Sequence, residues 1–157
     1  MDDFNILNAI EYNEQAFSDG RKVYELCNSD YYVYFHRHDS KPNISGHIHL
    51  MKFESEQCFH LGALEIDSLG KPVGFFLVEP WVTGEVSLTA ESLFAKFAVL
   101  FDGYGDSKEI SWLSRTLSEN KAMILSVLAR RDSAKVNIAR SESDKREGIS
   151  YGIVFAG

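Results

Sequence analysis

Apolar residues at Phe4, Ile6, Leu7, Ile10 and Phe17 form a loose stripe that predicts a helix over residues 3–18, ended by the glycine of Ser18-Asp19-Gly20. A short helical turn is expected over 21–27, and Asn28-Ser29-Asp30 is turn chemistry. The pattern then changes to runs rich in aromatic and β-branched residues. Strands are expected over 31–38, 46–53, 57–66 and 73–79, and Pro80 closes the last by removing a ladder donor.

Beyond residue 84 the period becomes helical. Thr89 suits an N-cap with Glu91 in the first turn, and Leu93, Phe94, Phe97 and Phe101 line one side. The segment 108–113 reads as a strand or as the first turn of a longer helix, with strand preferred. A second helix is expected over 118–131, capped by Ser118. Strands are expected over 135–140 and 149–155, flanking a charged loop at 141–148. No repeat or linker interrupts residues 1–157. The fold expected is a single α+β domain, with a central mixed or antiparallel sheet and helices packed mainly on one face.

Composition narrows the function. The chain has 157 residues and a formal charge of −7, against the clustered positive charge that nucleic acid or an anionic membrane surface requires. The two cysteines, Cys27 and Cys58, make no disulfide framework for a chain of this length. The first ten residues lack the order of a signal peptide, and no apolar run approaches the ~20 residues of a membrane span. A soluble, cytoplasmic protein is expected.

The hairpin over 57–79 carries the first candidate chemistry. A turn symmetric about Leu69 and Gly70 sets residues whose numbers sum to 139 opposite one another. His60 then faces Glu79, Gly62 faces Leu77, Leu64 faces Phe75 and Ile66 faces Val73. Both faces of this ribbon are apolar, which suits the middle of a sheet. At its open end a carboxylate can accept the imidazole N–H and raise the basicity of His60.

"HLGALEID … GKPVGFFLVEP" resembles the histidine-to-acid hairpin of the YopJ-type effector acetyltransferases, relatives in fold of the cysteine proteases that process ubiquitin-like proteins. In that family a helix follows the acid, and a Ser-Glu-Cys motif then supplies the nucleophile. The resemblance spans about residues 57–131, where "LSENKAMILSVLARR" matches the nucleophile helix at Ser118 and Glu119. It implies His60 as base and Glu79 as its orienter. Asn120 stands at the position of the expected nucleophile, with Ala122 the alternative under a two-residue shift. The cysteine itself is missing from 115–125, as is the glutamine of the family's oxyanion hole. The resemblance therefore implies an inactive or nucleophile-substituted relative that binds a protein partner, delivered into a host cell if the effector likeness extends so far. Acetyl-CoA and inositol hexakisphosphate enter only with that resemblance.

A second reading comes from the histidines. All five, His36, His38, His47, His49 and His60, fall within residues 36–60. Residues two apart on a strand share a face, so His36 with His38, and His47 with His49, can each reach one ion. Cys58 adds a thiol, which favours zinc and leaves other transition metals open. Against activation of Cys58 by His60, residues two apart along a strand stand ~6.5–7 Å apart, too far for a thiol–imidazole contact. A third reading is a small acidic interaction or inhibitor module with no chemistry.

Overall fold

The aromatic and β-branched runs pair in chain order. In the computed structural model, which describes residues 5–7, 24–26, 31–37, 42–79, 88–102, 108–133, 141–146 and 148–155, they build a six-stranded sheet. The strands are β1 (Tyr24–Leu26), β2 (Tyr31–Arg37), β3 (Ile44–Glu54), β4 (Gln57–Asp67), β5 (Pro72–Val78) and β6 (Ile149–Val154). They lie in the order β1-β2-β3-β4-β5-β6, and every neighbouring pair is antiparallel. Between β5 and β6 come α1 (Ala90–Phe97), a 3-10 turn (Ala98–Phe101), α2 (Lys108–Glu119), α3 (Lys121–Ser133) and the short α4 (Glu142–Arg146).

Local chemistry explains the connections. The β3–β4 turn places Ser55 and Glu56 at positive φ, 50° and 65°, as a two-residue hairpin requires. In the β4–β5 turn, Asp67 Oδ1 accepts from the backbone N–H groups of Leu69 and Lys71, at 2.9 and 2.8 Å. Gly70 there takes φ 81°. Thr89 caps α1 by accepting from the Ser92 N–H at 3.2 Å. Asp132, at the end of α3, accepts from the Ala90 N–H at 2.7 Å and so ties the two helices together.

The helices cover one face of the sheet. Ile48, Leu50, Leu64, Ile66, Phe75 and Leu77 form one core with Leu93, Phe97, Leu113, Leu117, Ile124 and Leu128. Strand alternation sends Ala63, Phe76 and Val78 to the other face, where they make a smaller cluster with Ile149. This is the α+β arrangement expected, with a central antiparallel sheet and helices on one face. β4 and β5 each have a neighbour on both sides, as their two apolar faces require. Among the described residues, no helix is long and apolar enough to cross a membrane.

Four local expectations change. Residues 24–26 are a strand rather than part of a helical turn. The segment 108–113 opens helix α2, because Ile110, Leu113 and Leu117 continue the apolar spacing of one helix face beyond it. Ser118 accordingly lies in the last turn of α2, and α3 starts at Lys121. The charged segment 141–148 contains α4. The strand expected over 135–140 falls outside the described residues, as does the helix expected over 3–18 except for residues 5–7.

Candidate functional site

A β-bulge in β4 decides where the histidines go. Along β3, Leu50 has Gly62 as its Cα partner, and the next residue, Met51, has His60, so Leu61 is an extra residue in β4. Before the bulge, Phe59 and Leu61 face the helices; after it, Leu64 and Ile66 do. His60 therefore shares the face of Ala63, three residues away, rather than that of Leu64. Regular alternation would have turned it toward the helices.

On the face away from the helices, cross-strand rows can be read from the register. His47 is opposite Glu65, which is opposite Gly74. In the next row His49 is opposite Ala63, which is opposite Phe76. Beyond it Met51 is opposite His60. Directly paired residues have Cβ atoms about 5 Å apart on one face. Three histidines and a glutamate thus enter the same patch from two adjacent strands.

The side chains make contact there. His49 Nδ1 lies 3.0 Å from His60 Nε2, a hydrogen bond in which one nitrogen carries the proton and the other offers its lone pair. The two rings are tilted by 33°, with centroids 5.2 Å apart. His47 sits edge-on to Phe76 at 4.5 Å, and its centroid is 6.3 Å from that of His49. Exposure is low: His47 2%, His60 3% and Glu65 5%, with His49 half-buried. Glycine makes room for the carboxylate, since a β-carbon on Gly74 would come within 3.4 Å of Glu65 Oε1 and 2.8 Å of the Ile153 carbonyl oxygen.

His60 lies in β4, Glu79 just after β5 and Asn120 between α2 and α3. The sum-139 register holds for Ala63–Phe76, Leu64–Phe75 and Glu65–Gly74, then shifts so that Ile66 faces Pro72 instead of Val73. The described β4–β5 ladder stops at Ala63–Phe76 and contains no His60–Glu79 pair. Glu79 follows β5, and its backbone N–H donates to the Gly148 carbonyl. Asn120 lies at the α2–α3 junction. Its Nδ2 donates to the Thr116 carbonyl at 2.9 Å, and its own carbonyl accepts from the Ile124 N–H at 3.0 Å. Ala122 is exposed on α3. The sheet lies between this helix layer and the face that carries His60.

Of the expected metal set, His47 and His49 are brought onto one face. Cys58 is half-buried, and its Cα partner is Phe53. His36 is the Cα partner of His47 by backbone register, and His38 lies outside the described residues. Among the described residues, no group of three or more His, Cys, Asp or Glu side chains is gathered closely enough to hold a metal ion. The expectation missed the pairing of His49 with His60 and that of His47 with Glu65. Gly62 was the available signal, because an isolated glycine inside a strand pattern marks a bulge.

Fold and site together define an α+β protein with a buried histidine face on an antiparallel sheet. The model of the family described as a domain of unknown function, DUF6969, matches residues 22–148, and the chain belongs to that family. No curated protein and no solved structure matches the chain.

Proposed function

We propose that this protein is a ligand-binding protein whose site is the sheet face formed by His47, His49, His60 and Glu65. The observation that carries the reading is the contact between His49 Nδ1 and His60 Nε2 at 3.0 Å on a largely buried surface. An apolar side chain would fill either position without the desolvation that an imidazole incurs. Imidazole pairs placed in low-dielectric surroundings are recurrent ligand and proton-handling groups. The acyl-transfer reading draws no comparable support, because the bulge turns His60 away from the helix layer that holds Asn120 and Ala122.

The test separates a site from a structural hydrogen bond. In equilibrium urea denaturation of ligand-free protein, the double variant His49→Leu/His60→Leu is expected to be as stable as the parent, or up to about 2 kcal/mol more stable, because both partners leave together. The single variant His60→Leu is expected to lose about 1–3 kcal/mol by stranding His49. A double variant that loses more than about 3 kcal/mol would assign the cluster to folding and defeat the reading.

A further inference from the structure

Strand β6 ends one side of the sheet: among the described residues it pairs with β5 alone. One hydrogen bond fixes the direction of its backbone groups. The Phe155 N–H donates to the Val73 carbonyl at 2.9 Å, so the N–H and C=O groups of Phe155, Ile153 and Tyr151 face β5. Antiparallel alternation turns those of Val154 and Gly152 away from it. Native sheet edges are commonly blunted by a charge, a proline or a bulge. Residues 149–155 hold no charged residue and no proline. A register shift between Ile149 and Tyr151 leaves Tyr151–Val154 regular, and Val154 is 69% exposed.

We propose that this edge pairs with the same edge of a second copy of the chain, across a two-fold axis at Ile153. An axis normal to the sheet makes the new pair antiparallel, as every neighbouring pair within the chain is. Gly152 then stands opposite Val154 of the second copy, and Tyr151 opposite Phe155 of the second copy. The outward N–H and C=O groups of Gly152 and Val154 are all used, in about four hydrogen bonds. Side chains match as well. Val154 and Gly152, whose Cα partners are Gly74 and Phe76, lie on the face away from the helices. Exposed Val154 covers Gly152 of the second copy, which has no side chain to obstruct it. On the helix face, Ile153 meets its own copy and Tyr151 meets Phe155, all three packed with the main core. No charged residue enters the seam, so the formal charge of −7 sets no like charges opposite one another there. This self-match in backbone, shape and charge selects a second copy as the partner.

The test is sedimentation velocity of the untagged chain, with amide hydrogen exchange at the same concentrations. The seam is far smaller than the ~800 Å² per partner of a standard interface, so half-dimerisation is expected at about 10–100 µM. Exchange of the Gly152 and Val154 amides is expected to slow severalfold as the dimer forms, whereas the Ile153 amide, bonded to β5, changes little. Val154→Pro removes an N–H that points away from β5 and leaves the chain's own ladder whole. Val154→Lys sets a charge on the edge. Each is expected to weaken dimerisation about tenfold or more, with circular dichroism checking the fold. Where a variant loses its fold, exchange in the parent decides. A parent chain still monomeric at about 1 mM overturns the self-pairing and leaves the edge to an extended segment of a different protein. A dimer that survives both substitutions, or that forms without slowing Gly152 and Val154, overturns it by placing the contact elsewhere. Growth beyond the dimer overturns the two-fold closure.

Discussion

At Gly62 the chain adopts φ 147°, and a β-carbon built there would stand 2.9 Å from the Phe76 carbonyl oxygen and press into the Phe75 ring. Only glycine takes this conformation without strain. The bulge it permits brings His60 beside His49. Gly62→Ala is expected to lower stability by about 2–4 kcal/mol in urea denaturation, from backbone strain together with overpacking against Phe75. An unchanged midpoint would show that the bulge does not depend on glycine. At this scale the sequence was half legible. The shared face of His47 and His49 and the Leu64–Phe75 pairing followed from strand alternation and turn symmetry. The contact of His60 with His49 did not, because one extra residue in a strand exchanges its two faces and period-two counting carries no record of it.

Among the elements, the tip of the β3–β4 hairpin is fastened to α1. Lys96 Nζ donates to Glu54 Oε2 at 2.8 Å and lies 4.3 Å from the centre of the Phe59 ring. The hydrogen bond from Lys96, and then its charge, hold the Glu54 carboxyl below the usual carboxylate range. A lowered folded-state pKa contributes stability above the unfolded-state value, and that contribution is lost as pH falls through the folded value. Lys96→Met is therefore expected to move the NMR-monitored titration of Glu54 up toward the ordinary range. No movement would show that the pair is not formed in solution. Helix α1 was legible from Thr89, Glu91 and its apolar side. Helix α2 was misread because the window 108–113 holds only Ile110 and Leu113, and the third member of the stripe, Leu117, lies beyond it.

Over the whole molecule, five strands meander in sequence, and β6 returns after the helices to pair with β5. Class and layering were legible, since alternation of strand and helix periods limits the ways two apolar surfaces can meet. What each face would carry was not, because one face becomes the main core and the other keeps three histidines and a glutamate only after the bulge has set the parity of β4. The account rests on His49 and His60 sharing one proton on that second face. The most direct measurement is a ¹⁵N–¹⁵N scalar coupling across the hydrogen bond between His49 Nδ1 and His60 Nε2, recorded on ¹⁵N-labelled protein. A resolved coupling that disappears in His49→Gln is the result expected. Two imidazoles with no mutual coupling, each exchanging its ring proton freely with water, would contradict the account.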